Sequence, residues 1–467
     1  MAGIRITLKE TGQQSIARLW VYNPNEKKEP DYLIHFRRPE TYNGEFGFDW
    51  MDSNYKSNII KEFQYENETK NLNDYESLKK EYYDAEKNEK VELSKNKEYF
   101  VPWLSIFPKQ EDDKLKQEDN KLKQEDNKLK QEVKLKIEVE KLNNYQIQDD
   151  DYIEIPSKAG ISFNPDKIKV SEINENTTIE VICKKPLVND ICVSVLDKNK
   201  QEVGKLNVIK NNDNYHLSIQ LVKIIANKGN EEANQETFKN LSSFEVEVIQ
   251  KELQKYYNQP LIHLNFLPIK DLTIDIDKFK EKKVLSFEQD EVGNVSFLRA
   301  LGNFDKEVFN EYFKGFKGIV VFLSSIFNNN SNAGHAHTYP LDIHYLFIPP
   351  YSVRDIELRP LIIAHEIGHT LGLDHSSEMS SYFLNKKMIK KSVEKLEKVS
   401  YNGKIYTREQ YITVKLKELE KVVPKFLFNY STNDNIMEKD NNVPQKSFWR
   451  WQWLKMQEEF KLYHNEK

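Results

Sequence analysis

Residues 358–377, LRPLIIAHEIGHTLGLDHSS, decide how the C-terminal half of this 467-residue chain is read. They place His365, Glu366, His369, Gly372 and His375 in the spacing HExxHxxGxxH. Side chains four apart share one face of a helix, so His365 and His369 can present two imidazole nitrogens to one metal, with Glu366 alongside. The third ligand is His375. Gly372 lacks a Cβ, so the chain can leave the helix sharply there and swing that imidazole back. Three neutral histidines leave the fourth tetrahedral position to water, the arrangement of a catalytic Zn2+ rather than a structural one. Such a zinc makes water nucleophilic near neutral pH, with Glu366 as general base and then acid, so the spacing points to hydrolysis of peptide bonds in a protein or peptide substrate. With ten histidines in the whole chain, the full pattern is rare by chance. Pro360 suits the first helical turn, and Leu361, Ile362, Ile363, Ala364, Ile367 and Leu371 give the helix a surface to bury.

Working outward, residues 213–467 read as mixed α/β. YHLSIQLVKII (215–225) is strand-like, and an amphipathic helix is predicted over Ser243–Tyr257 with Ser242 and Glu245 as a capping box. LIHLNFL (261–267), GIVVFLSS (318–325) and HAHTYPLDIHYLFIPP (335–350) are further apolar runs ahead of the motif. His335 and His337 share one strand face, so a second metal site is conceivable there, but they read rather as exposed polar residues; His344 is left open, and none of them is assigned as a ligand.

The motif, with GHTLGLDHS at 368–376, resembles the metzincin clan of zinc endopeptidases, and its matrix-metalloprotease-like and bacterial branches in particular. The resemblance covers the C-terminal half. It implies a methionine turn beneath the metal, for which the chain offers Met379, Met388 and Met437. Met437 is chosen: it lies in STNDNIME (431–438) and precedes KSFWRWQWLKMQEEF (446–460), a match for the clan's C-terminal helix, whereas Met379 is too close to His375. The resemblance also implies that GHAHTYP (334–340) forms the edge strand of the cleft, open to an extended substrate. Two departures stand out. A long Lys/Glu-rich insertion, read as helical, separates His375 from Met437, and Lys439 occupies the position where some members place a tyrosine ligand. A cysteine that holds such enzymes latent is not assigned, because Cys183 and Cys192 lack the flanking pattern.

The front of the chain divides into a β-rich module at 1–108, a charged heptad repeat at 109–132 and an immunoglobulin-like β-sandwich at 133–212. The first shows alternating runs at Ile4/Ile6/Leu8, ARLWVYN, YLIHFRRP and EFGFDW, then an exposed helix over 71–97 around Leu78, Tyr82 and Tyr83. The repeat KQEDDKL KQEDNKL KQEDNKL offers one apolar residue per heptad, too few for a coiled-coil seam, and reads as a solvated insertion. Strands recurring about every ten residues from Val133 suggest the sandwich. Cys183 and Cys192 could meet across a hairpin, but two cysteines make no disulfide scaffold.

The fold class expected is therefore multidomain, β-rich modules followed by an α/β (α+β) metzincin-like peptidase. Lys+Arg 69 against Asp+Glu 74 gives a net charge of −5, which provides no basic field for nucleic acid. The longest apolar run, Ile319 to Phe327, is too short to span a membrane. Dinucleotide, P-loop and GxSxG motifs do not occur, and the WRWQW cluster reads as core aromatics. MAGIRITLKETGQQ has no signal-peptide pattern, so the expectation is a cytoplasmic protein or an effector delivered by an injection-type apparatus, with the front modules meeting the apparatus or an immunity partner. Two alternatives remain: a binding or delivery protein with a degenerate peptidase domain, for which Glu366 would be superfluous, and a zinc hydrolase of cell-wall peptides.

Overall fold

The computed structural model describes residues 3–11, 14–22, 29–109, 133–229, 231–289, 291, 295–328, 333–340, 342–439 and 444–464. Apart from Lys109, the heptad repeat lies outside the described residues. The chain is multidomain and mixed α/β, with several separate sheets.

Two sheets enclose one core in the front half. The first runs Ile161–Asn164, Thr178–Cys183, Val133–Lys141, Tyr32–Arg37, all antiparallel; the second runs Lys167–Lys169, Tyr152–Glu154, Ile191–Asp197, Glu202–Val208, Trp103–Ser105, Gly47–Asp49. The alternation of VKLKI buries Val133, Leu135 and Ile137 while Lys134 is exposed. Those residues meet Phe36, Phe48, Leu104, Val193 and Leu206 in the shared core.

This corrects the division at 109–132. Tyr32–Arg37 pairs with Val133–Lys141, and Trp103–Ser105 pairs with Glu202–Val208, so the described parts of 29–109 and 133–210 interleave in both sheets. Alternation marks where strands lie, but their partners are set by burial across about a hundred residues of chain. The exposed helix expected over 71–97 also shrinks, to Tyr75–Lys79 capped by Asp74. Leu78 and Tyr82 are buried, and the Tyr82 hydroxyl donates to Asp49 Oδ1 at 2.9 Å. The cysteines are free and buried, Cys183 in the first sheet and Cys192 in the second.

A five-stranded sheet organises the C-terminal half, in the order Ile262–Ile274, Tyr215–Ala226, Ile319–Ser324, Tyr345–Ile348, His335–Ala336. The first four strands are parallel, and the last is an antiparallel edge. Ile319–Ser324 is buried throughout, as a central parallel strand must be. On one face Leu217, Ile219 and Val321 pack against Ile249 and Leu253 of helix Ser243–Tyr257 and Ile363 and Ile367 of the motif helix. On the other, Phe322 and Phe347 pack against Phe279, Phe304 and Val308. Ser242 caps Ser243–Tyr257 by accepting from Glu245 N–H, whereas the Glu245 carboxylate lies within electrostatic reach of buried Arg359.

The insertion between His375 and Met437 is two helices, Ser380–Ser392 and Arg408–Leu419, joined by the hairpin Lys398–Tyr401/Lys404–Thr407. It buries Met379, Tyr382, Phe383 and Leu419 against Phe63 and Tyr65 from the front half and against Tyr339. Among the described residues no helix is long and apolar enough to cross a membrane.

Candidate metal centre

The motif helix spans Arg359–Thr370 with Pro360 in its first turn. Its face of Ile363, Ala364, Ile367 and Leu371 is fully buried, and Tyr257 O–H donates to Ala364 O at 2.8 Å. The helix stops in a two-bond C-cap: Gly372 N–H donates to His369 O and Leu373 N–H to Gly368 O, both at 3.0 Å. Gly372 sits at φ +82°, a left-handed conformation that a side chain resists. A Cβ there would also lie 2.8 Å from Glu459 Cγ.

This reversal carries His375 back to the helix. The ring centroids of His365, His369 and His375 are 4.8, 5.2 and 4.7 Å apart, and one donor atom from each lies within 4.8 Å of the others. Backbone carbonyls fix two tautomers: His365 Nδ1 donates to Ile436 O at 2.8 Å and His369 Nδ1 to Leu373 O at 2.7 Å. Each therefore leaves Nε2 unprotonated, the form that ligates metals. Burial pushes the His365 pKa down to about 4, and burial with the neighbouring rings holds His369 and His375 well below the usual imidazole value. Among the described residues His375 Nδ1 has no hydrogen-bond partner, and it lies 3.8 Å from Asp374 Oδ1 and 3.9 Å from Glu378 Oε1. Three neutral, converging imidazoles are a donor set that could hold one metal ion.

Glu366 is buried beside them. Burial lifts its carboxyl to about 8, opposed by a hydrogen bond from Ala336 N–H on the edge strand. Gly334 explains how that strand comes so close, because a Cβ on it would lie 2.6 Å from Glu366 Cγ and Oε1. Beneath the helix runs the turn containing Met437. Ser376 N–H donates to Met437 O at 2.9 Å, and the Met437 thioether fills the space beside Gly368, where a Cβ would stand 2.5 Å from Sδ. Asn435 shapes this turn: its Oδ1 accepts from Met437 N–H at 2.9 Å and its amide donates to Gln452 Oε1 at 2.7 Å.

The structure thus brings together His365, Glu366, His369, Gly372, His375 and Met437. Lys439 pairs with Glu378 at 3.0 Å. Sequence reasoning assigned no role of their own to Gly334, Asn435 and Glu378, although Gly334 and Asn435 lie in the edge-strand and methionine-turn stretches it picked out, because their contacts appear only once those segments are packed together. It also read His335 and His337 as exposed, whereas both are half-buried. No protein-family model matches the chain, and no curated protein matches it significantly.

Proposed function

We propose that this chain is a zinc-dependent endopeptidase, with a metzincin-like C-terminal half and a front unit of immunoglobulin-like type. The observation that supports this reading is the convergence of three neutral histidines beside a buried carboxylate. His365, His369 and His375 would hold the metal. When bound, zinc supplies Lewis acidity, making water nucleophilic near neutral pH and polarising a peptide carbonyl.

The protein's own groups do the rest. The Ile436 and Leu373 carbonyls hold the first two rings in one tautomer, so little reorganisation is left for binding. Glu366 takes the proton of the attacking water on its carboxylate and passes it to the leaving amine, and its raised proton affinity suits that double task. Ala336 N–H and the bare Cα of Gly334 hold that carboxylate in place. Among the described residues the strand His335–Ala336 pairs on one side only, so an extended substrate can add to the sheet there. The front unit would bind a partner or delivery apparatus, a role suited to an effector. A purely binding protein would have no need of Glu366 at this position.

The test compares wild type with Glu366→Ala on a peptide library after zinc quantification. Cleavage by the wild type and its loss in a variant that retains zinc is the expected result; equal cleavage by both would remove Glu366 from the chemistry.

A further inference from the structure

A second group of donors lies on the other face of the edge strand. Asp305 stands in the first turn of helix Phe304–Tyr312 with a side chain only 9% exposed. Its Oδ1 accepts from Lys306 N–H at 2.9 Å, but Oδ2 is buried with no hydrogen-bond partner among the described residues. A carboxylate oxygen buried in that state carries an uncompensated desolvation cost. Two imidazoles surround it. His337 Nε2 is 3.9 Å from Oδ2, too long for a hydrogen bond, and the His335 ring lies 4.6 Å from the His337 ring at 77°. One donor atom from each of the three residues lies within 4.8 Å of the others.

We propose that Asp305, His335 and His337 form a second divalent-metal site, of the zinc class, separate from the histidine triad. Two imidazoles and one carboxylate suit a first-row transition ion better than Ca2+ or Mg2+, which prefer all-oxygen shells. Ligands bonded tetrahedrally at about 2.0–2.1 Å sit about 3.4 Å from one another, so small side-chain rotations close the observed 3.9 Å gap. The ion supplies the charge that Oδ2 lacks, and a solvent molecule can fill the fourth position because both histidines are half-exposed.

Its role follows from strand alternation. His335 and His337 point to one side, and Gly334 and Ala336, which touch Glu366, point to the other. A metal here ties the edge strand to the start of helix Phe304–Tyr312 and so fixes the backbone that positions Glu366. It is a structural clip, not a second reaction centre.

Metal stoichiometry tests this without reference to activity. The full-length chain is stripped, reloaded with Zn2+, passed through gel filtration and analysed for bound zinc, with far-UV circular dichroism as the folding check. Wild type is expected to hold two equivalents; Asp305→Asn, His337→Gln and His335→Gln should each hold one. A His365→Ala/His369→Ala variant should also hold one, which adding His337→Gln abolishes. Should Asp305→Asn fail to fold, the two half-exposed histidine variants carry the test. Zinc content unchanged from wild type in folded His335→Gln and His337→Gln overturns the site, as does a wild type with one equivalent that only the triad variant loses. A wild type whose only equivalent is lost on His337→Gln leaves the clip standing and removes the triad reading instead.

Discussion

At the scale of single residues, two glycines determine whether the histidine triad and Glu366 can meet. Gly372 holds φ +82° at the point where the chain turns back with His375. Ala there should cost about 1–2 kcal/mol from the left-handed backbone alone, more if Glu459 cannot shift. Urea denaturation measures it, and a variant as stable as wild type would show that the turn is not under this constraint. Gly334 is a different case, because its φ is ordinary and the constraint is the 2.6 Å approach to Glu366. Gly334→Ala should displace that carboxylate by a fraction of an ångström to an ångström. Turnover on a peptide substrate is expected to fall by about 10²-fold, with zinc bound at the triad unchanged. Loss of zinc in step with activity would mean that the strand supports the ligands instead. The sequence displayed Gly372 through the motif spacing; it could not display Gly334, whose importance exists only once strand and helix are packed.

At the scale of elements, the motif helix and Ser243–Tyr257 were legible because caps, proline and apolar period agree over twelve and fifteen residues. The helix Arg450–Glu459 depends on something less local. Its first N–H, from Arg450, donates to Asp49 Oδ2 at 3.0 Å, so a residue of the front sheet caps a helix 401 positions later. Burial pushes the Asp49 carboxyl up to about 6, partly opposed by Arg450 N–H and the Tyr82 hydroxyl. The unfolded chain releases this proton near 3.8, the native state near 6. The native state therefore binds more protons in that window, and this contribution is full below pH 4 and lost as pH rises through 6. Asn, which does not titrate, should gain on wild type by about 3 kcal/mol between pH 4 and pH 6. Denaturation curves of wild type and Asp49→Asn at several pH values measure this; parallel pH profiles would contradict it.

For the whole molecule, the front unit and the C-terminal half support each other around the histidine triad. Arg38, held between Tyr42 and Trp50, reaches Asp434 at 2.7 Å in the loop that leads into Met437. Ile59–Ile60 pairs with Leu427–Phe428, and the hairpin Glu62–Tyr65/Glu68–Asn71 lies against the insertion through Phe63, Tyr65 and the Lys386–Glu68 ion pair. Arg38→Ala should lower unfolding free energy by about 2–3 kcal/mol, less than for a fully buried pair because Asp434 keeps a third of its side chain in solvent. Thermal and chemical melts check this; a neutral result would mean that the front half does not brace the turn. None of these long-range contacts was readable from local patterning. Periodicity reports which residues will be buried, whereas the identity of the burying surface is fixed by the assembled fold, which is why 29–109 and 133–210 looked like two modules and form one pair of sheets.

In the proposed reading, His365, His369 and His375 share one ion next to Glu366. Anomalous diffraction at the zinc absorption edge, from crystals of the reloaded full-length protein, tests it most directly. A peak about 2.0–2.1 Å from one nitrogen of each ring, with Glu366 beside it but not bonded, is the expected result. No peak between the three rings, or one whose fourth position is filled by a protein side chain, would contradict it.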